Sequence, residues 1–118
     1  MRDTGIYLKD ILKAMEAIER FVEGLDLEMF KRDDKTSSAV IRKFEIIGEA
    51  AKNIPDSITK NYPFIPWREM AGMRDKLTHE YFGVNLRRVW GTVQQDLPAL
   101  EPLIAKILAD INAKGRHD

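Results

Sequence analysis

The sequence predicts an all-α fold, an up-and-down bundle of four to five helices in a single domain over residues 1–118. Three observations predict it. Apolar residues recur at three and four positions along most of the chain, as one face of a helix requires. No segment alternates apolar and polar residues as a half-buried strand does. The length of 118 residues suits one domain, which at this size buries roughly 65% of its unfolded surface.

From Tyr7 to Leu25 the apolar residues Leu8, Ile11, Leu12, Met15, Ile18 and Val22 keep the spacing, which predicts the first helix. Thr4 stands as its N-cap and Gly24 as its stop. Lys9, Lys13, Glu16, Glu19, Arg20 and Glu23 make the opposite face, which reads as solvated surface. A short turn of helix follows Asp26. The polar run from Asp33 to Ser38 reads as the start of a second long helix, which carries Val40, Ile41, Phe44, Ile47 and Ala51 on one side and is ended by Pro55. Between Pro55 and Pro66 there is room for at most a short helix, because three prolines punctuate the stretch. Pro66 suits the first position of a helix over "PWREMAGMRDKLTH". Asn85 can cap the last helical region, where Leu86, Val89, Trp90, Val93, Leu97, Leu100, Ile104, Ile107, Leu108 and Ile111 hold the pattern for more than six turns. Pro98 and Pro102 should bend or divide it. The tail over residues 113–118, "AKGRHD", is expected to be disordered.

Composition bounds the chemistry. Lys plus Arg equals Asp plus Glu at 19 each, so the chain has no global charge bias to drive nucleic-acid binding; a local basic patch is still allowed. The absence of cysteine excludes disulfides, thiolate catalysis and cysteine-ligated zinc. Two histidines, one in the tail, and scattered carboxylates form no ligand cluster, so no metal is expected. No apolar run approaches the roughly 20 residues of a membrane span. The expectation is a cytoplasmic protein without cofactor or membrane attachment.

The stretch "GMRDKLTHEYFGVN", residues 72–85, crowds arginine, histidine and tyrosine at the end of a helical run. Arg74 and His79 are five apart, about 140° on an ideal helix, and would not share a face. Either the helix ends between them, so that His79 sits on its frayed last turn or just beyond, or a second copy of the chain completes the site. Gly83 before Val84 and Asn85 fits a stop and restart, which puts His79 and Tyr81 at a helix C-terminus. The helix dipole there favours protonated imidazole. Residues 67–91 carry Arg68, Arg74, Lys76, Arg87 and Arg88 against Glu69, Asp75 and Glu80, a net charge of +2. Tyr81, Phe82 and Trp90 could offer stacking faces to bases, or Phe82 and Trp90 could be core.

In "RDKLTHEY", Arg74, four intervening residues, His79, one residue and Tyr81 resemble the motif of the HEPN superfamily of helical ribonucleases. The segments "RKFEIIGEAAKNIP", "PWREMAGMRDKLTHEYFGVNLRRVW" and "DLPAL" resemble the HepT-like toxin family along nearly the whole chain. The resemblance implies a HEPN-like bundle that works as a homodimer. It implies metal-independent cleavage of RNA, tRNA or mRNA among the possible substrates, with Arg74 and His79 as the catalytic pair in a cleft between subunits. It implies a type VII-like toxin–antitoxin pair in which a minimal nucleotidyltransferase antitoxin transfers AMP to Tyr81. Asp75 stands where the family often has asparagine, and could orient Arg74 or weaken phosphate binding. Lys76, Arg87 and Arg88 are the supporting RNA-binding candidates. The alternative is a non-catalytic helical module that dimerises, binds nucleotide and partners a nucleotidyltransferase, with Arg74 and His79 holding a phosphate.

Overall fold

Helix starts are set by short polar side chains that accept from backbone donors otherwise left unpaired in a first turn. Asp26 accepts from the Met29 amide at 2.8 Å and opens α2, Leu27–Arg32. Asp33 accepts from both the amide and the hydroxyl of Thr36, at 3.0 and 2.6 Å, and opens α3, Asp34–Lys52. Asn85 accepts from the Arg88 amide at 3.2 Å and opens α6, Leu86–Gly91. The other helices are α1, Thr4–Val22, α4, Asp56–Thr59, α5, Trp67–His79, and α7, Leu97–Gly115. The computed structural model describes residues 3–79 and 85–115, and of residues 74–79 the backbone alone. Among the described residues there is no strand, and no helix is long and apolar enough to cross a membrane.

Four longer helices make the bundle. α3 packs between α1 and α5, and α1 also packs on α7. Leu8, Ile11, Met15 and Ile18 from α1 meet Val40, Phe44 and Ile47 from α3 and Ile104 and Ile107 from α7, all nearly or wholly removed from water. Each such side chain contributes roughly 1.5–3 kcal/mol by leaving water. The charged residues read as the outer face of α1 are exposed, as the spacing predicts. Within "GEAAK", Gly48, Ala50 and Ala51 are buried on α3, where small side chains let neighbouring helices approach.

Two helix starts differ from expectation by one residue. Asp3, not Thr4, is the N-cap of α1. Pro66 precedes α5 rather than beginning it, and its carbonyl accepts from the Met70 amide. The stop after α1 falls where Gly24 supplies a φ of +80°, a conformation that side chains with a Cβ disfavour.

The last helical region is divided, but not at either proline. Residues Thr92–Asp96 form a π-helical turn between α6 and α7, marked by the Leu97 amide donating to the Thr92 carbonyl. Pro98 explains the position. It has no amide to give to the carbonyl four residues earlier, and its ring crowds that carbonyl, so the regular bond is lost at Gln94, in the middle of the widened turn. Pro102 lies within α7 without ending it. α7 runs on through Gly115, so residues 113–115 are helical where the sequence reading expected tail; residues 116–118 lie outside the described residues. A helical run of 30 residues from 86 to 115 would span about 45 Å, which accounts for most of the 51 Å long axis.

Candidate functional site

The helix carrying the motif begins from a braced turn. The Trp67 indole donates to the Tyr62 carbonyl at 3.0 Å, and the Ile65 and Trp67 amides donate to the carbonyls of Tyr62 and Ile65. The Tyr62 hydroxyl reaches Asp110 of α7 at 3.3 Å; partial desolvation, then the charge of Asp110, push this phenol up from its ordinary value. Ile65, Trp67 and Met70 are buried, so the N-terminal half of α5 is fixed to the bundle on one side. Arg68, Glu69 and Gly72 are exposed on the other.

From this base α5 runs unbroken through His79. The helix therefore does not end between the arginine and the histidine. Positions 74 and 79 stand on one continuous helix, about 140° apart around its axis, and position 79 is its last described residue. Of the predicted site residues, the side chains of Arg74, Asp75, Lys76 and His79 lie outside the described residues, and Tyr81 and Phe82 lie outside them entirely. Arg87 and Arg88 are exposed at the start of α6. Trp90 is half-buried and spends a face on Phe30 of α2, with ring centroids 5.1 Å apart. That contact makes it a packing residue between α2 and α6.

Beside the motif lies a cleft of about 240 Å³ between α1, α3, α5, the π-helical turn and the start of α7. Met15, Phe44, Ile47, Met70, Met73 and Leu97 give it an apolar lining, with Glu69, Thr92 and Asp96 at its rim. Among its described lining residues there is no lysine or arginine.

A further group was not foreseen. Glu101 of α7 shares a hydrogen bond with Glu19 of α1; this bond, then partial burial and the charges of Glu19 and Glu16, push its carboxyl up to about 7. Sequence spacing shows Glu16 and Glu19 as one exposed face, but does not tell which helix brings a third carboxylate beside them.

An all-α bundle whose α5 carries Arg74 and His79, with Tyr81 two positions on in the sequence, belongs to the class of helical proteins of the HEPN type. The family described as Ribonuclease HepT-like matches residues 11–107, and the chain belongs to it. A protein of Thermococcus cleftensis named "Probable ribonuclease HepT" is 54% identical over 101 residues, covering 86% of this chain and 92% of its own. One of Methanocaldococcus jannaschii named "Putative RNase MJ1216" is 43% identical over 116 residues, covering 98% and 96%. Another, of Caldanaerobacter subterraneus and named "Putative RNase TTE0752", is 45% identical over 108 residues, covering 92% and 96%. No solved structure matches.

Proposed function

We propose that the protein is a metal-independent endoribonuclease toxin, acting as a homodimer in the cytoplasm on RNA, tRNA or mRNA among its candidates. The observation that carries the proposal is the sequence motif of Arg74, His79 and Tyr81, its first two positions on α5, in a chain of the HepT-like family. Relatives along nearly its whole length bear ribonuclease names. Cleaving RNA without metal requires activating the 2′-hydroxyl, stabilising the phosphorane charge and protonating the leaving oxygen. Histidine near neutral pH suits the proton transfers, and the fixed donors of arginine suit the charge. A helix C-terminus favours the imidazolium, the form that can act as acid.

The continuity of α5 supports the dimer. One helix cannot bring positions 74 and 79 to a common face, whereas a two-fold axis beside its end would set Arg74 of one subunit near His79 of the other. Lys76, Arg87 and Arg88 would add positive charge to that cleft, and Asp75 would orient the neighbouring guanidinium or oppose the phosphate. Neutralisation fits the same place. A nucleotidyltransferase antitoxin that transfers AMP to the Tyr81 hydroxyl, releasing pyrophosphate from ATP, would put an anion and an adenosine two residues from His79. That group would occupy the RNA site and pair with Arg74.

The test is cleavage of mixed cellular RNA and tRNA in EDTA by the unmodified protein, beside His79→Ala and Arg74→Ala. Cutting should persist with the metal chelated and fall at least about a hundredfold in each variant. A folded, AMP-free dimer that cuts nothing would turn the reading to a phosphate-holding module that partners the nucleotidyltransferase.

A further inference from the structure

The exposed side of α5 carries two features that the fold does not use. Phe64, in the turn before the helix, is 62% exposed, the most exposed large apolar side chain among the described residues. It meets Tyr62 only edge-on, with centroids 6.2 Å apart and planes at 79°. The turn that presents it is held by the Trp67 and Ile65 hydrogen bonds and by the buried Ile65 side chain. Phe64 is thus an aromatic ring held in water on a preorganised support, at a cost that its own packing does not offset.

Gly72 is the second feature. A glycine inside a helix costs up to about 1 kcal/mol relative to alanine, and such a cost is usually offset by close packing. Here a Cβ would meet nothing within 4 Å, so no described neighbour requires the glycine. What does require it would approach α5 from outside.

Between them lies Arg68, exposed and without an ion pair to any described residue. Phe64 and Arg68 border one shallow depression, which Glu69 also lines. At about 100° per residue, positions 68, 72 and 79 fall within about 40° of one another around the helix, while Glu69 lies about 100° to one side of Arg68. The stripe therefore runs along α5 to its last described residue, about 17 Å from position 68 to position 79.

We propose that Phe64, Arg68 and Gly72 form a track that carries single-stranded RNA along α5 toward His79. Phe64 stacks on a base, the Arg68 guanidinium pairs with a phosphate, and Gly72 lets the sugar–phosphate backbone lie close to the helix. This rests on the ribonuclease reading and extends it: the track engages nucleotides away from the cleaved bond. Stacking on an aromatic ring is tolerant of sequence, so the track adds affinity for unpaired strands rather than base specificity.

The test uses the full-length protein and a labelled single-stranded oligoribonucleotide long enough to run the length of α5. Half-saturation in single-turnover cleavage is measured for the unmutated protein, Phe64→Leu, Phe64→Trp and Arg68→Ala, with helicity checked by circular dichroism. Phe64→Leu and Arg68→Ala should each raise the half-saturating concentration about tenfold, and Phe64→Trp should restore it. Unchanged cleavage in both loss variants would overturn the track while leaving the ribonuclease intact. Folded, unmutated protein that neither binds nor cuts the strand would instead overturn the ribonuclease reading, and the track with it. A loss of self-association or of antitoxin retention, with RNA binding unmoved, would assign this face to a protein partner and overturn the proposal.

Discussion

The raised carboxyl of Glu101 gives the fold a pH dependence that belongs to one residue. Glu16 and Glu19 are exposed on α1, as their helical spacing predicts. Helix pairing, which no local pattern encodes, then brings Glu101 against them, and a shared proton with Glu19 raises its carboxyl to about 7. The folded state therefore holds this proton more tightly than the unfolded chain does. The resulting stabilisation is complete below the ordinary value of 4.5 and is lost as pH rises from there to about 7. Glu101→Gln keeps a donor for Glu19 and removes the charge. It should flatten the pH dependence across that window and make the protein more stable at about pH 8.5, by less than about 1 kcal/mol because water screens these carboxylates. Thermal melts of both proteins at about pH 5 and about pH 8.5 decide it; an equal loss of stability in the variant would place the proton elsewhere. Polar caps, by contrast, were legible in the sequence as helix starts, although α1 takes Asp3 and not Thr4. Asp26, Asp33 and Asn85 act through bonds to amides three positions on, a spacing visible in the sequence itself.

At the scale of the element, helix identity follows from spacing, while the joints between helices depend on backbone bonds that spacing does not show. The prolines at 98 and 102 announced a disturbance in the last helical region. The π-helical turn Thr92–Asp96 lies before both of them, because proline acts on the carbonyl four residues behind it. α2 presents the opposite case, since six residues are too few for a helix to persist alone in water. It is held by Phe30, which is wholly buried and set against Trp90 of α6. Phe30→Ala should cost about 3–5 kcal/mol and loosen α2 and α6 together, measurable as denaturant unfolding with hydrogen exchange over both segments. Fast exchange confined to α2 would show that the Trp90 contact does not couple them. Trp90 could be read from the sequence as a stacking face or as core; the aromatic pair decides for packing.

For the whole molecule, the motif was legible as residue types and spacing, but the sequence alone left open whether the helix ends between arginine and histidine or a second copy completes the site. The course of α5 through position 79 puts His79 in the last described turn of the helix, about 140° around the axis from Arg74. It also makes the dimeric reading testable without a structure of the dimer. If a productive pair takes Arg74 from one subunit and His79 from the other, Arg74→Ala and His79→Ala homodimers are both inactive, each lacking one member of every pair. A mixed dimer of the two variants keeps one intact pair, formed by His79 of the arginine variant and Arg74 of the histidine variant. Random reassociation makes about half of the dimers mixed, and each has one of its two sites intact, so activity should return to about a quarter of the unmutated level. The measurement is cleavage by the two inactive variants before and after unfolding and refolding them together. Recovery requires that the subunits share the site, whereas silence in a mixture shown by mass spectrometry to contain mixed dimers would mean that each chain must supply its own pair, and α5 would then have to break before His79 when RNA binds.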